Sequence, residues 1–284
     1  MMNGERIGVV DVGGGYRGIY AAGVLDYCLD HGIQFDVGVG VSAGSANLIS
    51  YAAGQSRRNR QFYAEYGLRK EYASLRNFIT KRSFLDLDYV YSTLSNSDGE
   101  NPLDYAAAMA NPMRFLAVAT EAKTGKPWYF GKEDLSQDNY SVLKASCAIP
   151  YICHPYPVRG RQYYDGALAD PVPIQKAFSY GCQKVVLLLT LPEDQLRTPK
   201  KDEKLARRIR KKYPRSAAKL EQRADRYNRG VKLAKKYADQ GRLLIVAPDD
   251  TCGVGTICRD GQAMLRLYEK GYADGAKIPV FFAE

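Results

Sequence analysis

Histidine is almost missing from this chain: two occur in 284 residues, His31 and His154. So few cannot build a histidine-rich metal centre, and they leave only two candidates for a histidine base beside a serine. Cysteine occurs six times but never as C-x-x-C, so a structural zinc site finds no ligand set. No metal and no cofactor are expected. No apolar run approaches the roughly 20 residues that span a bilayer. Met1 to Arg6 is short and polar and runs straight into the strand-like Ile7–Asp11, which leaves no room for a signal peptide. Scattered thiols then fit a reducing, cytoplasmic location. Internal repeats and low-complexity linkers are also absent, so residues 1–284 read as a single domain.

Acidic residues are scarce in one place. Between Arg197 and Arg242 stand 18 Lys/Arg against 5 Asp/Glu, a local net of +13 in a chain whose total is +10. The rest is slightly acidic, so the fold as a whole is no nucleic-acid binder. Pro214 divides the segment into two helical stretches. In the second, Leu220, Ala224, Tyr227, Val231, Ala234 and Ala238 form one apolar stripe. The expected arrangement is a basic helical pair, at about 197–241, inserted before the last strand. The stripe packs on the core, and the opposite charged face is a candidate for peripheral contact with anionic membrane.

What is present is an α/β pattern. Ile7–Asp11 is a short apolar strand, Gly13-Gly14-Gly15 a turn, and Tyr16 to His31 a helix stopped by Gly32. Phe35–Val41 is a second strand, followed by a helix from Ser45 to about Ala53. Two strand–turn–helix units in succession predict a parallel sheet. Residues 56–110 read mostly helical. Hairpins are expected around Lys123–Lys126 and Arg159–Arg161, buried strands at Lys184–Leu189 and Leu243–Ala247, and a final helix over Gly261–Tyr272.

Two glycine-framed motifs carry the chemistry. Gly40-Val41-Ser42-Ala43-Gly44 is a G-x-S-x-G between a strand and a helix, the setting in which a sharp turn exposes a serine Oγ as nucleophile. Gly13-Gly14-Gly15-Tyr16-Arg17-Gly18 also joins a strand to a helix. Its bare amides suit an oxyanion, and Arg17 adds positive charge. Gly13, Gly15 and Gly18 also satisfy the dinucleotide fingerprint, but the far end of the next strand carries Ser42 where that motif needs an acid. For the base, His31 is explained by its place at a helix end, and His154 reads as a loop residue. Asp165, followed by Gly166, is the alternative: a carboxylate at a strand end with a glycine to turn on.

In order along nearly the whole chain, G-G-G-Y-R-G at 13–18, A-G-V-L-D at 22–26, G-V-S-A-G with Asn47, A-S-C-A-I-P at 145–150 and D-G-A at 165–167 resemble a bacterial patatin-like phospholipase domain. Val12 and His154 depart from the residues common there. The resemblance implies a three-layer α/β/α sandwich with a mainly parallel central sheet. It also implies a Ser42–Asp165 dyad and an oxyanion loop of Gly13, Gly14, Gly15 and Arg17. Gly40 and Gly44 would frame the nucleophile elbow. The expected activity is hydrolysis of a lipid or small acyl-ester substrate to release fatty acid. An acyltransferase with the same dyad, or a lipid-binding module without turnover, are the alternatives.

Overall fold

A computed structural model describes residues 4–283, the side chain of Lys81 excepted. The first three residues of the polar lead-in, and the last residue of the expected domain, lie outside the described residues. The chain opens with β1 (Ile7–Asp11), α1 (Ile19–Asp30), β2 (Val37–Val41) and α2 (Ala43–Ala52). The helix expected from Tyr16 starts as one 3-10 turn over Gly15–Gly18, because Gly13, Gly14 and Gly15 all take positive φ before the α conformation begins. Three short helices follow, α3 (Arg58–Ala64), α4 (Leu75–Lys81) and α5 (Tyr105–Ala110), with a π-helical turn at Tyr89–Leu94. Next come β3 (Arg114–Glu121), β4 (Pro127–Phe130), α6 (Ser141–Ser146), β5 (Tyr156–Val158) and β6 (Arg161–Asp165). The chain closes with α7 (Ile174–Ser179), β7 (Lys184–Leu188), α8 (Lys200–Ile209), α9 (Pro214–Glu221), α10 (Arg223–Ala238), β8 (Leu243–Val246), α11 (Gly261–Asp274) and α12 (Lys277–Ala283).

The strands form one mixed sheet in the order β5-β6-β3-β2-β1-β7-β8, with β4 paired to β3 off this path. β1, β2, β3, β7 and β8 run parallel, and β6 joins β3 antiparallel. β1 and β2 are buried on both faces, which is why they read as continuous apolar runs. Alternation along β1 sends Val9 into one core with α1, α2 and α11, and Val10 into the opposite core with α7 and α10. This is the α/β/α sandwich.

The basic segment holds three helices where the sequence suggests two, because the chain breaks at Gln222 and restarts. Its apolar stripe is used in packing. Tyr227, Val231 and Ala234 join the core of Val10 and Leu187, while Ala206, Ile209, Ala217 and Leu220 close over Tyr164 and Leu168. The segment thus caps the end of β6, where Asp165 lies. The helix beginning at Gly261 is not the last, since α12 follows it. None of the described helices is long and apolar enough to cross a membrane.

Candidate active site

Ser42 ends β2 and caps α2 with φ 57° and ψ −129°. A non-glycine residue there stores about 1–3 kcal/mol of strain and persists only when its surroundings hold it. They do. The Ser45 amide and hydroxyl both donate to the Ser42 carbonyl, at 2.9 and 2.7 Å. The Ser42 amide donates to Ser146 Oγ at 2.9 Å, and that hydroxyl donates to the Val118 carbonyl at 2.7 Å. Gly44 is needed because a Cβ there would stand 2.3 Å from the Asp11 carbonyl oxygen. Gly40 packs directly under Ser45.

Asp165 closes β6, paired with Ala119 of β3, and is 2% exposed. Its carboxylate accepts from the Ala167 amide at 2.8 Å, and Thr120 Oγ1 fixes its carbonyl at 2.9 Å. Burial raises its pKa above the usual carboxylate value. The Ser42 hydroxyl, the Ala167 amide and the charges of Arg223 and Arg197 pull the other way. The structure therefore brings Ser42 and Asp165 together at one cleft. Neither histidine lines that cleft or the narrow cavity beside Ser42. His31 is exposed, with Nδ1 2.9 Å from the Tyr27 carbonyl, and exposed His154 faces Phe78 and Ile209 instead.

The glycine loop lies against this turn. A Cβ on Gly13 would stand 2.1 Å from the Val41 carbonyl oxygen. One expected oxyanion donor is otherwise engaged: the Gly13 amide donates to Asp11 Oδ1 at 2.8 Å. The amides of Gly14 and Gly15 have no acceptor among the described residues. Two of the three expected donors are therefore free, because Asp11, buried two residues before the loop, takes the first. Arg17 lies beside Gly14, its Nη2 3.3 Å from where a Cβ would sit, and its Nη1 donates to Thr256 Oγ1 at 3.1 Å.

Several supporting contacts escape a motif search. Asp11 is fully buried, with a pKa pushed up to about 6 by loss of water, and it accepts from Asn47 Nδ2 at 2.9 Å. Asn47 also donates to the Gly18 carbonyl at 2.9 Å, so one side chain ties loop to elbow. Thr190 Oγ1 donates to the Gly13 carbonyl. Asn47 and Ser146 stand within motifs of the sequence, but their partners are not legible there. Thr190 is distant in sequence and gives no sign.

Two spaces open from Ser42. One is a narrow cavity of about 60 Å³ walled by Tyr63, Tyr72, Leu85, Val90 and Tyr91. The other is a wide cleft of about 640 Å³, with Arg17, Arg197, Lys201 and Arg223 on its rim. No group of three or more His, Cys, Asp or Glu side chains among the described residues is placed to hold a metal ion.

Fold and family model together define the class of protein. The chain belongs to the patatin-like phospholipase family, whose model matches residues 12–178. A second model, a domain of unknown function (DUF6363), matches residues 213–278. Among curated relatives, the uncharacterized protein YjjU of Escherichia coli is 30% identical over 197 residues, 68% of this chain and 54% of that protein. An uncharacterized NTE family protein of Mycobacterium tuberculosis is 27% identical over 180 residues, 60% of this chain and 44% of that protein. The chain thus spans about half the length of these relatives. Among solved structures, VipD of Legionella pneumophila superposes with a TM-score of 0.49 at 12% identity, over 96% of this chain and 66% of that one.

Proposed function

We propose that the protein is a serine acyl hydrolase that releases fatty acid from ester lipids, with Ser42 as nucleophile and Asp165 as its base. The observation that carries this reading is the strained Ser42 set against a buried carboxylate, with no histidine lining either space that opens from it. Ser42 Oγ attacks the ester carbonyl as its proton passes to Asp165. The Gly14 and Gly15 amides, with Arg17 behind them, stabilise the tetrahedral oxyanion. Collapse expels the alcohol, which takes the proton from Asp165 and leaves an acyl-enzyme. Asp165 then draws a proton from water, and hydrolysis frees the acid. The narrow apolar cavity receives the acyl chain.

Ser42→Ala is expected to lower ester hydrolysis by several orders of magnitude while the melting temperature holds. A fluorophosphonate should label the wild type at Ser42 alone, with the adduct mapped by mass spectrometry. Labelling at Ser45, or undiminished turnover by Ser42→Ala, would sink the assignment. Product identification separates water from another acyl acceptor. The exposed Arg207, Arg208 and Lys211 of the basic segment are proposed to add contact with an anionic lipid surface from a cytoplasmic location, each contributing about 1 kcal/mol. Equal co-sedimentation with neutral and anionic vesicles removes that part.

A further inference from the structure

The rim of the wide cleft holds more positive charge than the surrounding carboxylates answer. Arg223 is paired with Asp202, through Nε to Oδ2 at 2.9 Å and through Nη2 to Oδ1, so that carboxylate of the same cleft already occupies its fork. Arg17 and Arg197 have no carboxylate partner among the described residues, and both line the same cleft as Ser42 and Asp165. Each has a buried Nε with no hydrogen-bond partner there. A buried charged donor without an acceptor is unfavourable, so two such guanidinium groups in one cleft point to a group that meets them.

The cations also repel one another. Burial and the nearby charges of Arg197 and Arg223 bring the Arg17 pKa down to about 10. Arg197 is nevertheless held rigidly in place. Its guanidinium lies 3.6 Å from the centre of the Tyr227 ring. Its amide donates to Asn228 Oδ1 at 2.9 Å, and its carbonyl accepts from Asn228 Nδ2 at 3.0 Å. Tyr227, Asn228 and Arg223 all belong to α10, within the region matched by the domain of unknown function. That region thus builds one wall of the cleft. A fork of guanidinium donors fixed against an aromatic face is suited to a phosphate's oxygens. Its place on the rim of the reacting serine's cleft makes the anion part of the reacting molecule.

We propose that Arg17 and Arg197, the latter held in place by α10, form a phosphate site that holds the phosphate of an ester lipid while Ser42 faces its acyl carbonyl. This rests on the reading of Ser42 as nucleophile, so the test uses binding as well as turnover. Titration calorimetry on the Ser42→Ala chain compares dibutanoylglycerol phosphate, dibutanoylglycerol and inorganic phosphate. The phosphate-bearing lipid is expected to bind at least tenfold tighter than the neutral one, and Arg197→Met to remove at least tenfold of that affinity. Arg197→Lys keeps stem and charge but not the fork. It should retain part of the affinity, and it reads the site even where methionine is not tolerated. Equal affinity for the two lipids, or unchanged affinity in a folded Arg197→Met protein, overturns the proposal. Inorganic phosphate binding as tightly as the lipid phosphate overturns the lipid assignment in favour of a free anion. Fluorophosphonate labelling of the wild type reports the nucleophile separately. Absent labelling with intact lipid binding sinks the hydrolase reading and not the phosphate site.

Discussion

At the scale of residues, two buried acids set opposite expectations for pH. The proposed base Asp165 must be ionised to accept a proton, and burial raises its pKa above the ordinary 3.8. Hydrolysis is therefore expected to rise with pH through a midpoint above that value, and Asp165→Asn to abolish the rise together with the activity. A rate profile with its only limb near pH 6.5, lost in His154→Ala, would instead point to histidine. Asp11 acts on stability. Its pKa is 3.8 unfolded and about 6 folded, so the native state holds the proton more tightly. Its contribution is fully present below about pH 4 and is lost as pH rises through about 6, a change of roughly 3 kcal/mol at 1.36 kcal/mol per pKa unit. In Asp11→Asn the unfolding free energy should vary less between pH 4 and 6, as urea titration can measure. The variant also turns an amide donor toward Asn47 Nδ2. The reactive residues were legible because G-x-S-x-G, G-G-G and D-G-A are local patterns. The hydrogen bonds that support them were not, since Ser146, itself within A-S-C-A-I-P, reaches Ser42 across 104 residues of sequence.

Among the elements, α6 and the basic helices matter most. The last residue of α6, Ser146, spans the Ser42 amide and the Val118 carbonyl. Ser146→Ala leaves both without their partner and should destabilise by about 1–3 kcal/mol. Because the elbow loosens, kcat should fall roughly tenfold with little change in KM, as steady-state kinetics would show. In the basic segment the apolar stripe and the charged face should separate cleanly. Fully buried Leu220→Ala is expected to cost about 2–5 kcal/mol, and exposed Lys211→Ala to stay within about 0.5. The stripe itself was readable from spacing. The break at Gln222 was not, since nothing there carries a glycine or proline signal. Nor was the 3-10 start of the first helix, which is imposed by the φ values of the preceding glycines.

For the whole molecule, the sheet order decides which pieces can stand alone. The family segment 12–178 omits β1 and β7, which pair with each other, and also β8 and α11. A fragment ending at residue 180 would leave β1 an apolar edge and uncover α1. There Gly23 meets the Tyr268 carbonyl so closely that a Cβ would stand 2.2 Å away. It is expected to aggregate in size-exclusion chromatography while the full chain elutes as one species. Strand pairing at this range is what a sequence hides: parallel order is implied by strand–helix alternation, but the antiparallel docking of β6 on β3 is not. That docking has a consequence of its own. Ser42 follows β2 and Asp165 ends β6, and both strands flank β3. Neighbouring strands lie about 4.8 Å apart whatever the surrounding helices do. The gap between the two groups is therefore set in whole units of the sheet's lattice. Drift in the helical layers leaves it alone, whereas a slip of β6 by one residue would turn Asp165 to the opposite face and erase it. In mutational space such a site behaves as a switch: substitutions either leave the spacing intact or abolish it, with few shades between.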